Sequence, residues 1–319
     1  MPIFLTSRKV NVVSPISTIK EKPLDTYTFE RLRNQTFDIS DIALESVLQE
    51  NNDIVSNVFF FIVDNKKVSG VMHVPKKEGV YPVIVLFRGY IDQKVYKIGD
   101  GTRRVAQMLA KNGFITLAPD FLGYGQSASA SANPIEDRLQ TYTTSLTLLH
   151  SLDTLNSALK KNKTSITADT KKVGIWGHSN GGQIALSALA ISGKSYPTVV
   201  WAPVTKPFPY SVLYYTDEFD DQGKLLRKII ADFEKDYDVE KYTFVNYLDW
   251  ITASIQLHQG GGDDEVPKRW SDEFVQVMEE HEKDVEYFTY PGDDHNFTKG
   301  GFEAAVTRSI LFYKEKLSE

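Results

Sequence analysis

The chain has 319 residues, of which 41% are hydrophobic and 24% charged, and its formal net charge is −6 at pH 7. This length and composition are typical of a globular protein with a core of its own, and an acidic balance without a basic face gives no support to nucleic-acid binding. The sequence holds no cysteine, which excludes disulfides, thiolate catalysis and cysteine-ligated zinc, and no apolar run approaches the roughly 20 residues of a membrane span.

The start of the chain differs in pattern from the rest. Residues 1–55 are polar and are interrupted by Pro15 and Pro23, which favours an N-terminal extension packed on a main domain of residues 56–319. Residues 1–8 lack the apolar core of a signal peptide, and a leader that has been removed stays an open alternative.

A hairpin and then an alternating pattern follow. Strand-like runs at 58–63 and 68–74, joined by Asp64-Asn65, predict the hairpin. The continuous apolar run at 83–87 then predicts a strand buried on both faces. Further strands are predicted at 114–118, 172–176, 198–201, 255–258 and 285–290. Helical patterns separate these runs, at 102–112, 135–159, 183–190, 270–280 and in a last helix that ends at Lys316. Strands that alternate with helices indicate an α/β fold with a mostly parallel sheet and helices on both faces.

One interruption of the alternation, residues 203–250, is too long for an ordinary connection and is rich in aromatic residues. We predict that it forms a helical cap insertion over the active site, with most of its rings packed in the cap's own core. The candidate substrate-binding residues are Tyr214 and Tyr215 in this segment and Trp201 at the end of the preceding strand.

The motif Gly177-His178-Ser179-Asn180-Gly181 stands between a strand-like run and a helix-like run. A G-x-S-x-G sequence in that context predicts a nucleophile elbow, a sharp turn that pushes the serine hydroxyl out of the sheet. A serine hydroxyl is a poor nucleophile by itself. It needs a base that takes its proton and a carboxylate that orients the base, and in an elbow fold the acid and then the histidine follow along the chain.

The loops after the last two predicted strands offer these partners. Among six histidines, His295 alone lies between the last strand and the last helix, which fits a catalytic base. The others are interpreted as structural or solvated: His73, His150, His178, His258 and His281. The preceding loop offers Asp263 as the leading acid and Asp264 as its rival. Asp263, Asp264 and Glu265 form a cluster of carboxylates that could suggest a cation site. We interpret the cluster as the acid of the triad with solvated neighbours, and we expect no metal and no cofactor.

A third requirement is an oxyanion hole, a pair of N–H groups for the developing negative charge. One donor is expected from the backbone of Asn180, at the positive end of the helix dipole. The other is expected from the loop after the strand at 83–87, which reads Arg88-Gly89-Tyr90, with the N–H of Tyr90 as the choice.

Three motifs in this order, at 177–181, 260–267 and 290–297, resemble those of the α/β-hydrolase superfamily. More narrowly, the chain from about Val68 onwards resembles the prolyl oligopeptidase-like (S9-type) serine hydrolases and the dienelactone hydrolase-like esterases. The resemblance implies that Ser179 is the nucleophile, Asp263 the orienting acid and His295 the base.

The chain departs from this family in two respects. Arg88-Gly89 stands where the family commonly has His-Gly. In addition, the 55 to 65 irregular residues ahead of the main domain are too few for the β-propeller of the family's peptidases.

The expected function is a serine hydrolase that cleaves small or aromatic carboxylic esters through an acyl-enzyme on Ser179. Two alternatives stay open. One is a serine peptidase of the oligopeptidase or aminopeptidase kind, with the same triad, and the other is a non-catalytic binding protein on a hydrolase scaffold. The expected partner is a small-molecule ester or a short peptide, while the oligomeric state and the compartment are left open.

Overall fold

The computed structural model describes residues 22–318. Within them, nine strands form a single sheet: β1 (Ala43–Glu50), β2 (Ile54–Val63), β3 (Lys66–Pro75), β4 (Gly79–Phe87), β5 (Ile115–Pro119), β6 (Ile166–His178), β7 (Thr198–Trp201), β8 (Ile255–Gly260) and β9 (Val285–Tyr290). The α-helices of this part are α1 (Phe29–Asn34), α2 (Arg103–Lys111), α3 (Pro134–Ser151), α4 (Leu155–Lys161), α5 (Asn180–Ser192), α6 (Tyr210–Leu213), α7 (Lys224–Asp236), α8 (Lys268–Glu280) and α9 (Phe302–Lys316). None of these helices is both long and apolar enough to cross a bilayer.

The strand order across the sheet is β1-β2-β3-β5-β4-β6-β7-β8-β9. All pairings from β5 to β9 are parallel, whereas β1, β2 and β3 are antiparallel to their neighbours. The predicted hairpin is confirmed, because β2 and β3 meet at Asp64 and Asn65, both with positive φ as a tight two-residue turn requires. The predicted α/β architecture with a mostly parallel sheet is therefore confirmed as well.

Helices cover both faces of the sheet, and β4 shows why its apolar run is continuous. Val83, Val85 and Phe87 belong to the core on one face, under α3, α4 and α5. Ile84 and Leu86 belong to the core on the other face, under α2 and α9. Because successive side chains of a strand point to opposite faces, a strand covered on both sides must be apolar throughout. Because the strands from β5 to β9 are parallel, their carboxyl ends share one edge of the sheet. The candidate active site lies at this edge.

The N-terminal region is more regular than its sequence indicates. Residues 22–55 contain α1 and the edge strand β1, which pairs with β2 and so extends the sheet of the main domain. Most side chains of β1 are exposed, so the strand lacks the apolar alternation that makes a strand recognisable. Residues 1–21 of the predicted extension lie outside the described residues.

The predicted single helix over 135–159 is divided in two. Helix α3 ends at Ser151, a short 3₁₀ turn follows, and α4 begins at Leu155. The side chains at the break serve the N-terminal region, because Ser151 Oγ accepts a hydrogen bond from the Ser40 N–H at 2.9 Å and Thr154 Oγ1 accepts one from the Ile42 N–H at 3.0 Å. We attribute the break to these tertiary contacts, which no helical periodicity in the sequence reveals.

Two buried histidines should make the fold sensitive to acid. Burial, with a smaller contribution from Arg103, lowers the pKa of His73 to about 4, and burial with the charge of Arg308 lowers the pKa of His258 to about 3. Both pKa values lie below the ordinary value of 6.5. Below pH 6.5 the two histidines are therefore protonated in the unfolded chain but stay neutral in the folded state. The contribution of each neutral histidine to the free energy of unfolding is complete above pH 6.5. It is lost as the pH falls toward the folded-state pKa, about 4 for His73 and about 3 for His258.

We expect the free energy of unfolding to drop by about 2 kcal/mol per buried histidine between pH 7 and pH 5. Urea titrations of the wild type and of a His73→Asn variant at both pH values test this. The asparagine amide occupies the place of His73 Nδ1, which lies 2.7 Å from Ser56 Oγ, and it does not titrate. The variant should lose about 2 kcal/mol less than the wild type on acidification. An identical loss in both proteins would contradict the assignment.

Candidate active site

The elbow serine lies at the junction between β6 and α5. Its backbone has φ 56° and ψ −123°, an uncommon conformation for a residue other than glycine. The turn is also very tight. A Cβ atom on Gly177 would collide with the carbonyl oxygen of Gly181, and one on Gly181 would collide with the carbonyl oxygen of Phe87. The two glycines of the motif are thus required where strand, turn and helix approach one another.

The predicted acid and base form a buried pair at the ends of two neighbouring strands. Asp263 follows β8 and His295 follows β9, and His295 Nδ1 lies 2.9 Å from Asp263 Oδ2. The side chains are 0% exposed for Asp263 and 5% exposed for His295. A carboxylate in this position holds the imidazole with its proton on Nδ1, which leaves Nε2 free to accept a proton.

The loop after β8 holds Asp263 firmly in this orientation. Its Oδ1 accepts hydrogen bonds from the backbone N–H groups of Val266 and Glu265 at 2.8 and 3.0 Å, and its Oδ2 accepts one from Gln259 Nε2 at 3.0 Å. The neighbouring Asp264 is exposed to solvent. Of the two rival acids, the structure thus brings Asp263 to the imidazole and leaves Asp264 outside.

His178 contacts His295, which the sequence did not indicate. The two rings are 4.5 Å apart between centroids, and His178 Nε2 donates a hydrogen bond to the carbonyl oxygen of His295 at 3.0 Å. Burial, with the nearby His295 as a smaller cause, lowers the pKa of His178 to about 3, so this ring is neutral at pH 7. The residue before Ser179 thus holds the loop of His295 without adding a positive charge.

The serine hydroxyl does not yet engage the imidazole. Among the hydrogen bonds of residues 22–318, none joins Ser179 Oγ to His295, and His295 Nε2 lies 3.8 Å from Glu265 Oε2. Catalytic hydrogen bonds are often long in ligand-free enzymes and tighten in the substrate complex. The arrangement therefore has an oriented imidazole next to the elbow, without a hydrogen bond to the serine hydroxyl.

The loop after β4 lies against the serine, and a buried arginine fixes its conformation. A Cβ atom on Gly89 would be 3.0 Å from Ser179 Cβ. Arg88 Nη1 donates to the carbonyl oxygen of Gly89 at 2.9 Å and Nη2 donates to that of Asp120 at 3.0 Å. In a planar trans peptide, the C=O and N–H groups point in opposite directions. The Arg88 contact therefore turns the N–H of Tyr90 away from the guanidinium, and within the described residues this N–H has no backbone partner.

Asp120 stabilises the same loop through buried hydrogen bonds. This carboxylate is fully buried and accepts hydrogen bonds from Ser69 Oγ and Tyr96 Oη, each at 2.5 Å, and from the Gly99 N–H at 3.1 Å. The Tyr96 ring in turn lies 4.7 Å from the Arg88 guanidinium. Arg88, which stands where the resembled family commonly has histidine, thus belongs to a buried polar network that fixes the loop.

The three candidate substrate-binding aromatics do not lie together. Tyr214 and Tyr215 follow α6, and both rings pack against Trp270, with centroids 4.7 and 6.3 Å away. Tyr214 is 38% exposed, and the Tyr215 hydroxyl is buried. Trp201 is only 3% exposed, and its Nε1 donates to Ser309 Oγ at 3.2 Å, inside the core under α9. Trp201 is therefore a core residue, and the expectation that it binds substrate does not fit its position.

A cavity of about 180 Å³ opens on the other side of the elbow. It lies between α3, the start of α5 and the loops after β4 and β5. Tyr90 and Asn180, which carry the two candidate oxyanion donors, both line it. A substrate carbonyl held by these two N–H groups would therefore have the cavity within reach of its substituents.

Comparison with known proteins shows the family of the chain. The family model of the prolyl oligopeptidase family matches residues 101–319, which is more than half of the chain. A protein described as a carboxymethylenebutenolidase, from Synechocystis sp., is 22% identical over 262 residues, which cover 77% of this chain and 87% of the relative.

Solved structures show the same fold. The acetyl xylan esterase 1 of Thermoanaerobacterium sp. superposes with a TM-score of 0.57 at 18% identity, over 91% of this chain and 93% of the esterase. The acylaminoacyl peptidase of Pyrococcus horikoshii superposes with a TM-score of 0.56 at 18% identity, over 84% of this chain but only 41% of the peptidase.

These similarities confirm the expected fold and the expected class of enzyme. The mostly parallel sheet and the elbow are those of the α/β-hydrolases, and the relatives and structural neighbours are esterases and peptidases. The chain therefore belongs to the prolyl oligopeptidase family of α/β-hydrolases and is a serine hydrolase.

Proposed function

We propose that the protein is a carboxylic ester hydrolase that forms an acyl-enzyme on Ser179. The observation that carries the proposal is the buried contact of 2.9 Å between His295 Nδ1 and Asp263 Oδ2, made beside the strained serine of the elbow. An imidazole oriented by a carboxylate is the base that a serine hydroxyl needs.

In this mechanism Ser179 Oγ attacks the ester carbonyl while His295 Nε2 takes the hydroxyl proton. The oxyanion of the tetrahedral intermediate accepts hydrogen bonds from the N–H groups of Tyr90 and Asn180, the latter among the unpaired N–H groups at the start of α5. Protonated His295 then gives its proton to the departing alcohol. A water molecule deprotonated by the same imidazole releases the acid and restores Ser179.

The segment at 203–250 is proposed as a cap that contacts the alcohol part of the ester. The leaving group must lie near His295, which protonates it, and Tyr215 lies on this side of the site. Burial is the main cause that raises the pKa of Tyr215 well above its ordinary value, and the nearby charges of Asp263 and Glu265 add to it. Tyr214 and Tyr215 are therefore kept as candidate contacts of the leaving group.

A serine peptidase is the second candidate, favoured by the family match and by the likeness to an acylaminoacyl peptidase. The share of each neighbour that this chain covers supports the esterase instead. The chain spans 93% of the acetyl xylan esterase but only 41% of the acylaminoacyl peptidase.

Unactivated substrates separate the two candidates, because p-nitrophenyl esters react readily with many nucleophiles. We expect the purified protein to hydrolyse ethyl butyrate with a higher kcat/KM than alanine p-nitroanilide or dialanine. Acid release in a pH-stat and anilide absorbance measure the rates, and inhibition by a fluorophosphonate serves as the control for serine chemistry. A higher kcat/KM for the anilide or the dipeptide than for ethyl butyrate would favour the peptidase.

A further inference from the structure

The cavity beside Tyr90 and Asn180 contains polar atoms that the proposed mechanism does not use. Gln140 and Thr144 are one turn apart on α3 and both line it. They are 6% and 1% exposed, and in the described part of the chain neither Gln140 Oε1 nor Thr144 Oγ1 has a hydrogen-bond partner. Buried polar atoms without partners cost stability, and they are rare unless a water molecule or a ligand satisfies them.

The orientation of the Gln140 amide follows from its neighbours. Tyr27 Oη donates its only proton to Glu136 Oε1 at 3.2 Å, because an ionised carboxylate accepts hydrogen bonds and donates none. The same Tyr27 oxygen must therefore accept from Gln140 Nε2, at 3.4 Å. This contact turns Gln140 Oε1 away from Tyr27, as an acceptor that calls for a donor in the cavity.

The order of the strands shows which part of an ester reaches this cavity. Its lining comes from α3, α5 and the loops after β4 and β5, on one side of the strand that carries Ser179. Asp263 and His295 follow β8 and β9, on the other side. Because the departing alcohol takes its proton from His295, the alcohol lies on the far side and the acyl chain extends into the cavity.

The size and walls of the cavity restrict the acyl group further. Its volume of about 180 Å³ slightly exceeds that of a cavity of about 150 Å³ that holds benzene. Phe121, Leu122 and Ile184 supply apolar walls, whereas Gln140 and Thr144 supply the polar end. Asp137 also lines the cavity, as do Arg88 and Arg138, so the wall carries charges of both signs.

We propose that this cavity is the acyl pocket and that it selects acyl groups of about the size of one ring that end in a hydroxyl group. The hydroxyl donates to Gln140 Oε1 and accepts from Thr144 Oγ1, so both buried atoms gain a partner. A site built to bind a hydroxyl rejects the analogue without it, because its polar groups are then left unpaired. The inference rests on the proposed esterase function.

Matched esters test the selection. Methyl 3-(4-hydroxyphenyl)propanoate and methyl 3-phenylpropanoate differ by one hydroxyl group, and the corresponding phenylacetate esters form a second pair one methylene shorter. In at least one pair we expect the wild type to hydrolyse the hydroxylated ester with a kcat/KM about tenfold above that of its partner. Acid release in a pH-stat measures the four rates.

A Thr144→Val variant removes the hydroxyl group at nearly constant volume. It should lower kcat/KM for the preferred hydroxylated ester by about tenfold, so that the preference over the ester without the hydroxyl is largely lost. Thr143→Val is the matched control, because Thr143 is also buried on α3 but its Oγ1 donates to the backbone carbonyl of Gln140 at 3.2 Å. This control should keep the wild-type preference.

The outcomes distinguish the two proposals. If the wild type hydrolyses both members of each pair at equal rates, or hydrolyses ethyl butyrate but none of the aryl esters, the acyl-pocket inference is overturned and the esterase proposal stands. If it hydrolyses no ester at all and resists the fluorophosphonate, the esterase proposal fails and the inference fails with it. The comparison of wild-type rates needs no variant, so it holds even if Thr144→Val does not fold.

Discussion

Replacing Ser179 by alanine is expected to lower kcat for ester hydrolysis by about 10⁴- to 10⁶-fold. The change removes the nucleophile itself, so the reaction loses its covalent intermediate and retains only what the oxyanion hole and substrate binding supply. Alanine keeps the Cβ atom of serine, and hence the same backbone conformation at φ 56°. Thermal unfolding should therefore be almost unchanged, which separates loss of chemistry from loss of fold.

A matched control lies on the helix that follows the elbow. Ser187 is fully buried in α5, and its Oγ donates to the backbone carbonyl of Gln183 at 2.8 Å. Ser187→Ala makes the same chemical change two turns from the elbow and should leave kcat within about twofold, because it removes only one local hydrogen bond. A Ser179→Ala protein that retained one tenth or more of the wild-type activity would rule out the acyl-enzyme on this residue.

Replacing Asp263 by asparagine is the second large effect, an expected fall in kcat of about 10⁴-fold. Asparagine has nearly the same shape but directs an amide N–H group or a neutral oxygen at His295 Nδ1. It therefore disfavours the tautomer with a free Nε2 and no longer stabilises the imidazolium that forms when Ser179 loses its proton. The rates with ethyl butyrate, measured beside the thermal unfolding temperature, check the prediction.

Asp264→Asn tests the same assignment from the other direction. Asp264 is adjacent in sequence, but it is exposed, whereas Asp263 is buried against the imidazole. This substitution removes the same charge from the same loop and should change kcat by less than about twofold, since an exposed charge is largely screened. If Asp264→Asn proved the damaging change and Asp263→Asn the mild one, the acid would have been assigned to the wrong residue.

Much of the architecture was predictable because a strand that is buried on both faces has a recognisable run of apolar residues. The second half of β4, residues 83–87, is buried on both faces and apolar at every position, and the glycines of the elbow are required by collisions with the neighbouring backbone. Strand β1 was not predictable, because it lies exposed at the edge and is held by pairing with β2 rather than by a buried face.

The same apolar continuity explains the incorrect expectation for Trp201. Strand β7 is buried from end to end, so period-two alternation does not reveal which side chains turn toward the substrate and which toward α9. Only the position of Ser309 on α9, far away in sequence, shows that the indole faces the core.

The cavity proposed as the acyl pocket was missed for the opposite reason. Asp137, Gln140 and Thr144 repeat at helical spacing, and a polar stripe of that period is typical of a solvent-exposed face. In the structure this stripe instead faces Asn180 and Ile184 across the cavity. The contact between His178 and His295 was equally hidden, because it joins the end of β6 to the loop after β9.

The strand order separates the proposed acyl pocket from the proposed proton-transfer pair. The cavity walls come mainly from residues 88–144, while Asp263 and His295 stand in the last sixty residues, across the central strand. Under these proposals, exchanging the cavity-facing side chains of α3 would alter the recognised acid without touching Asp263 or His295. Transplanting α3 from a hydrolase of different preference would accordingly retarget the scaffold while its proton-transfer pair stays in place.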